Sequence, residues 1–151
     1  MAHGYALQRA RAIDEADELF ARACQLGSAL GCTNFAAALW VRHDERPGAE
    51  ACARQLFERA CDVGEPHGCG MLGRMMATSA RTDAERIAAR KHFARVCDEL
   101  GGSSCRMFAH HLELGQLGPY APDFLRALMF RGCQTGDADA CGRDTATETF
   151  R

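Results

Sequence analysis

The sequence predicts an all-α protein, an α/α solenoid made of four copies of one helix–turn–helix repeat. Eight of its nine cysteines form four pairs, each with seven residues between the partners, and the first cysteines of successive pairs are 37, 36 and 36 residues apart. A constant period in the thirties is typical of helical repeat arrays. Apolar residues also recur at helical spacing before the pairs. The pairs are Cys24/Cys32, Cys61/Cys69, Cys97/Cys105 and Cys133/Cys141.

One repeat domain, residues 1–151, is predicted because this length suits a single domain. Its four repeats span about 12–47, 48–81, 82–119 and 120–151. The last repeat is expected to be truncated or to act as a cap, since Asp144 and Glu148 stand where the earlier repeats have apolar residues. Residues 142–151 are therefore predicted to form a polar cap or a frayed end.

A tight turn is predicted between the two cysteines of each repeat. Gly27, Gly64 and Gly136 stand three residues after the first cysteine of their pairs. A glycine just after an apolar helical run ends the helix, because it adopts the left-handed conformation without steric cost. In the third repeat Leu100 stands at this place, and Gly101 follows it. Each repeat is therefore expected to be a helical hairpin with one cysteine on either side of its turn.

Start signals mark the first helix of the later repeats. Ala49 begins an apolar stripe at three-and-four spacing that includes Cys52. Thr82 and Glu85 are spaced as a capping box, in which the two side chains bond backbone amides that lack helical partners. The first helix of the fourth repeat is expected to begin after Pro122, beyond a turn-rich connector at residues 115–119.

The chemistry of the paired cysteines is predicted to be disulfide formation. The turn of a helical hairpin can bring two Cα atoms within the roughly 4.4–6.8 Å that a disulfide requires. Reduced buried thiols and a metal site are the alternatives, and zinc sites draw on cysteines spaced more closely along the chain than these. Cys52 is predicted to be a free thiol that packs in the core, with a reactive or intermolecular thiol as the alternative.

The second repeat resembles the cysteine-rich Sel1-like repeat, a relative of the tetratricopeptide repeat, found in the Helicobacter cysteine-rich protein family. The resemblance covers about residues 12–145 and implies a right-handed superhelix with a concave groove lined by the second helix of each repeat. It is carried by the run Phe57-x-Arg59-Ala60-Cys61-Asp62-x-Gly64-x-x-x-Gly68-Cys69-x-x-Leu72-Gly73-x-x-Met76. The groove residues that it implies are Thr33, Ala37, Trp40, Val41, His67, Arg74, Thr78, Arg106, His110 and Glu113.

The function that the resemblance implies is binding of a protein or peptide in this groove. Disulfides would place the protein in a periplasmic, secreted or otherwise oxidising setting of a bacterium, and the alternative is a cytoplasmic protein with reduced cysteines. Some cysteine-rich relatives are described as penicillin-binding proteins with slow β-lactamase activity, which is the alternative function. A redox or haem-related assembly role, as in a mitochondrial relative, is a third alternative.

Several classes of function are disfavoured by the composition and the motifs. The net charge of −2 offers no basic face for nucleic acid, and no run of about 18 apolar residues predicts insertion into a membrane. The S-x-x-K motif of serine β-lactamases is absent, as are a Ser/His/Asp set and H-E-x-x-H. His110 and His111 are adjacent and would point about 100° apart on a helix, so solvated or packing roles are predicted for the histidines. The sequence therefore favours a binding protein with no cofactor, no metal and no catalytic residue.

Overall fold

The described residues form an all-α protein, as predicted. The computed structural model describes residues 2–42 and 44–144, and the side chains of 12–42 and 44–142. Within these ranges the chain forms eight helices and no strand. The helices are α1 (Ala2–Gln25), α2 (Ala29–Val41), α3 (Ala49–Asp62), α4 (Pro66–Ser79), α5 (Asp83–Leu100), α6 (Gly102–Glu113), α7 (Pro122–Gln134) and α8 (Ala138–Asp144).

Two compact units divide the chain, residues 1–68 and residues 69–151. In the first compact unit, α2 packs against both α1 and α3. In the second compact unit, α6 packs against α5 and α7, and α7 also packs against α8. Within each unit, helices that follow one another in the chain are therefore neighbours in space. That the whole chain forms a single repeat domain stays a prediction.

Three of the four hairpin turns have the same hydrogen bonds. In the first, the Gly27 N–H donates to the Cys24 carbonyl at 3.0 Å and the Ser28 N–H donates to the Ala23 carbonyl at 3.0 Å. The turns at Gly64 and Gly136 repeat both bonds. The three glycines have φ values of +93°, +81° and +104°, which side chains rarely tolerate. These turns are Schellman motifs, which end a helix and satisfy its last carbonyls.

The turn of the third repeat differs because Leu100 stands in the place of the turn glycine. Helix α5 continues through Leu100 and ends at Gly101, whose N–H donates to the Cys97 carbonyl at 2.9 Å. Gly101 has φ +63° and ψ −149°, and a Cβ there would lie 2.6 Å from Thr135 Oγ1. Both the backbone conformation and the space around it therefore require glycine at this position.

The four predicted disulfides are present. The Cα atoms are 4.3 Å apart in the first pair, 4.5 Å in the third and 4.7 Å in the fourth. Each bond joins the end of one helix to the beginning of the next. The bonded pairs are Cys24–Cys32, Cys61–Cys69, Cys97–Cys105 and Cys133–Cys141.

The second cysteine of the fourth repeat, Cys141, differs from its equivalents in the other repeats. Cys32, Cys69 and Cys105 are buried, at 6%, 2% and 0% exposure, whereas Cys141 is only half-buried. Cys141 lies on the short helix α8, which packs mainly on α7 and is the last helix among the described residues. The fourth disulfide is therefore formed as predicted, but the repeat around Cys141 does not enclose it as the earlier repeats enclose theirs.

The expectation that Cys52 packs in the core is wrong. Cys52 is a free thiol, but its side chain is exposed. The buried stripe of α3 runs through Ala49, Ala53, Phe57 and Ala60. Cys52 is the neighbour of Ala53, and adjacent residues on a helix point about 100° apart, so it falls beside this stripe. Its thiol is therefore accessible to solvent.

The predicted helix starts in the third and fourth repeats agree with the structure to within one residue. Thr82 Oγ1 accepts a hydrogen bond from the Glu85 N–H at 3.2 Å, and Glu85 Oε2 accepts one from the Thr82 N–H at 3.1 Å. Helix α7 begins at Pro122. Helix α8 reaches Asp144, while the side chain of Asp144, Glu148 and the rest of the expected polar end lie outside the described residues. No helix in the described ranges combines the length and the apolar character needed to cross a membrane.

Candidate functional site

Thr33, the first of the groove residues implied by the resemblance, takes part in the internal packing of the first compact unit. It is 3% exposed, and its hydroxyl donates to Glu65 Oε2 at 2.6 Å. It also lies 3.2 Å from the Ala29 carbonyl of its own helix. The side chain therefore joins α2 to the turn before α4, and it presents no surface to a ligand.

The other groove residues of the first compact unit are at least partly accessible. Trp40 is half-buried, and its ring meets Phe57 edge-on with the ring centroids 6.3 Å apart. Ala37 is also half-buried, whereas Val41 is 83% exposed. The exposed His67 ring places Nδ1 3.3 Å from Glu65 Oε1. Trp40 thus packs α2 against α3 and keeps part of its ring on the surface.

The groove residues of the second compact unit differ in how far they are exposed. Arg74 and Thr78 of α4 are exposed, as are His110 and Glu113 of α6. Arg106 is half-buried, and its Nε donates to Asp137 Oδ2 at 2.6 Å, so its guanidinium is held within the fold. These four side chains therefore reach the surface.

Two carboxylates beside the turns each join the start of a helix to the preceding repeat, a link that the sequence did not reveal. Glu65 Oε2 accepts from the Gly68 N–H at 2.6 Å, which caps α4, and it also accepts from Thr33 of the preceding repeat. Asp137 accepts from the Asp139 N–H at 3.1 Å and from Arg106 of the preceding repeat. The residue after the second cysteine of one repeat therefore bonds to the cap of the next.

The environment of Glu65 favours its ionised form. Burial raises the pKa of this carboxyl group, but hydrogen bonds from Thr33, Gly68 and His67 outweigh burial and hold the pKa below its usual value. A carboxylate that accepts several hydrogen bonds is stabilised in the charged state. The signal available in the sequence was the equivalence of Thr33 and Arg106, each directly after a second cysteine.

A cleft of about 390 Å³ lies between α1 and α2 in the first compact unit. Arg42 crosses it, with Nη2 2.8 Å from Asp17 Oδ2 and Nη1 3.4 Å from Asp14 Oδ1. Since Arg42 pairs with both carboxylates, the cleft has a mixed rather than an acidic character. Its lining residues are Asp14, Asp17, Glu18, Ala21, Phe35, Ala38, Leu39, Arg42 and Arg46.

A second cleft of about 390 Å³ lies in the second compact unit, between α5 and α7. Phe108 and Phe124 meet edge-on within its lining, with ring centroids 5.7 Å apart. The Asp98–Arg131 pair is also part of the lining, and Arg131 Nη2 donates to the Asp98 carbonyl at 2.8 Å. This cleft, which we call the α5/α7 cleft, is therefore apolar at its base and charged beside it. The other lining residues are Ala94, Cys97, Ala127, Leu128 and Gln134.

Two buried histidines lie in the core of the second compact unit. His92 is 9% exposed, and its Nε2 is 2.8 Å from the Cys69 carbonyl oxygen. His111 is 2% exposed, and its Nδ1 is 2.6 Å from Gln116 Oε1. The neighbouring His110 is exposed. Of the two roles predicted for the histidines, His111 therefore has the packing role and the adjacent His110 the solvated one.

The described side chains contain no cluster of three or more His, Cys, Asp or Glu residues that could hold a metal ion. No model of a known protein family matches the chain, and neither does any curated protein or any solved structure.

Proposed function

We propose that this chain is a disulfide-stabilised Sel1-like solenoid that binds a protein or peptide through the exposed side chains of its second helices. The observation that carries the proposal is that residues at a fixed distance from the second cysteine are exposed in each of the first three repeats. Nine residues after that cysteine, Val41, Thr78 and Leu114 are all exposed. In solenoid proteins in general, equivalent positions of successive repeats contribute to extended binding surfaces, and this supports the proposal.

The chemistry of these exposed positions suits a ligand with apolar and acidic side chains. Val41 is 83% exposed and Leu114 is 54% exposed, so both offer apolar area. Five residues after the second cysteine, Arg74 and His110 are exposed at equivalent places. Arginine and tryptophan are frequent at binding hot spots, which favours Arg74 and the half-buried Trp40 as main contacts.

The proposed setting is an oxidising compartment, such as the periplasm or the extracellular space. Four disulfides persist where thiols are not kept reduced. A thiol count on protein from its native compartment tests this. One reactive thiol in denaturant, from Cys52, supports the proposal, and nine would place the protein in a reducing compartment.

The binding proposal is tested by selecting ligands from a random peptide library and measuring their affinity for single variants. Arg74→Ala and Val41→Ser should each weaken binding by about tenfold, because hot-spot side chains contribute more than about 1 kcal/mol. Arg126→Ala is the matched control, since this exposed arginine of α7 pairs with Asp123 of its own helix.

Trp40→Ala would be less informative, since the ring also packs on Phe57 and its loss should destabilise the fold. Two results would overturn the proposal. One is a library that yields no specific ligand, and the other is a ligand whose affinity changes with Arg126→Ala but with neither of the other variants.

A further inference from the structure

The two buried histidines occupy places that are apolar elsewhere in the repeats. His92 stands where the other three repeats have leucine, at Leu19, Leu56 and Leu128. His111 stands where the second repeat has Met75. An imidazole in such a place can bind a proton near neutral pH, whereas leucine and methionine cannot. The core of the second compact unit therefore contains two titratable groups.

The hydrogen bonds of the two rings define which nitrogen can accept a proton. A carbonyl oxygen only accepts, so Nε2 of His92 donates to Cys69 and Nδ1 carries no proton. By the same reasoning, Nδ1 of His111 donates to the amide oxygen of Gln116, and Nε2 carries no proton. Protonation of either ring keeps its present hydrogen bond and adds a positive charge and a second N–H within the core.

Both rings contact one aromatic stack. The Phe93 ring lies 5.0 Å from the ring centroid of His111 and 6.1 Å from that of His92. Phe93 also stacks on Phe108 with a centroid distance of 5.8 Å. Phe108 and Phe124 in turn line the α5/α7 cleft. The stack therefore connects the histidines to the base of that cleft.

The surroundings of both rings disfavour a positive charge. Burial lowers the pKa of His92 against the opposing hydrogen bond to Cys69, and the nearby charges are Arg95 and Glu99. Burial likewise lowers the pKa of His111 against the hydrogen bond to Gln116. His110 and Arg74, the charged groups that face it, lower that pKa further. A charge in an apolar core is costly unless it is paired.

We propose that the aromatic core of the second compact unit is an acid-sensitive switch. Protons on His92 and His111 loosen the stack of Phe93 and Phe108 and thereby open the base of the α5/α7 cleft. Proton binding and folding are linked, and this fixes the direction in which stability changes with pH. The folded chain binds fewer protons than the unfolded chain below the unfolded histidine pKa of about 6.5, so stability falls as the pH drops through that value.

The Cys97–Cys105 disulfide provides a local probe of the switch. Both cysteines are buried in this core, at 2% and 0% exposure. The oxidised protein is treated briefly with a phosphine reductant at pH 7.5 and at pH 5.0, and new thiols are alkylated and located by peptide mass spectrometry. Reduction of Cys97–Cys105, relative to Cys24–Cys32 of the first compact unit, should rise severalfold at pH 5.0.

The combined variant His92→Leu and His111→Met carries the residues of the equivalent places in the second repeat, and it should abolish this rise. Lys91→Gln, on the exposed neighbour of His92, should leave the rise intact. An unchanged ratio in the parent protein, or a full rise in the combined variant, would overturn the proposal. If the combined variant does not fold at pH 7.5, NMR titration of the parent decides, since a pKa of 6.5 or above for both rings contradicts the switch.

Discussion

The turn of the second repeat and the turn of the third repeat occupy equivalent places, yet Glu65 stands in one where Gly101 stands in the other. Glu65 caps α4 through its own carboxylate. Gly101 has no side chain, and the Gly102 N–H at the start of α6 donates instead to Thr135 Oγ1 at 2.5 Å. The first backbone N–H groups of a helix have no partner within the helix, so they need an acceptor outside it. The comparison teaches that both repeats supply a side-chain acceptor at the start of the second helix, although the acceptor comes from a different residue and receives a different amide.

The largest expected effect comes from placing the glutamate of the one turn into the other. Gly101→Glu should lower the free energy of unfolding by about 3 kcal/mol, because the new side chain would have a strained backbone and would meet Thr135. Urea denaturation measures this. Gly118→Ala is the control, since Gly118 also has a positive φ, at +83°, but has open space around it. Equal losses in the two variants would show that the contact with Thr135 is unimportant.

Removal of the cap at the second turn should have the next largest effect. Glu65→Ala should cost about 2 kcal/mol, because α4 loses its cap and the buried Thr33 hydroxyl loses the Glu65 acceptor. Thermal and urea unfolding should agree on this loss. Glu58→Ala is the control, since Glu58 pairs with Arg54 on the surface of α3. A double-mutant cycle with Thr33→Val should show a coupling of about 1 kcal/mol, and no coupling would contradict the bond between repeats.

The substitute acceptor at the third turn should contribute less. Thr135→Val should cost about 1 kcal/mol, because the Gly102 N–H loses its acceptor while the shape of the side chain is kept. Thr78→Val is the matched control, since the Thr78 hydroxyl bonds to carbonyls of its own helix. Coinciding unfolding curves for the two variants would contradict the prediction, because the bond from the Gly102 N–H to Thr135 would then add nothing to stability.

A small gain in stability is expected close to the third turn. Ser104 Oγ is the buried side-chain oxygen without a hydrogen-bond partner among the described residues. The fourth repeat has Ala140 at the equivalent place, and that residue is fully buried. Ser104→Ala should therefore raise the free energy of unfolding by roughly 0.5–1 kcal/mol, because an unsatisfied hydroxyl is removed. A lower midpoint in urea would show that Ser104 has a partner after all.

The helical hairpins could be predicted because their signals are local. The cysteine period, the turn glycines, the capping box at Thr82 and the proline at 122 each act within a few residues. The burial of Cys52 was predicted wrongly, since residues at the edge of an apolar stripe can face either way. The period likewise predicts that Cys141 is bonded but not that it is less buried than its equivalents, because burial depends on the neighbouring helices. An amphipathic pattern thus predicts which side of a helix is buried, but not how far the buried stripe extends around the helix.

The features around the candidate site depended on contacts distant in the chain. The bond from Thr33 to Glu65 spans 32 residues, and that from His92 to the Cys69 carbonyl spans 23. No local sequence pattern predicts such hydrogen bonds, because a backbone carbonyl or a carboxylate can accept from donors in many directions. The α5/α7 cleft is likewise formed where residues of α5, α6 and α7 meet, so its volume depends on how three helices pack.

The local character of the disulfides has a consequence for oxidative folding. Bonded cysteines are eight residues apart in the chain, and the free Cys52 lies nine residues from Cys61, a nearly equal loop in an unfolded chain. Once α3 has formed, nine residues of helix hold these two sulfur-bearing positions about 13 Å apart, beyond the reach of a bond. We therefore expect early helix formation to guide the correct pairing, and the protein to need an oxidant more than an isomerase.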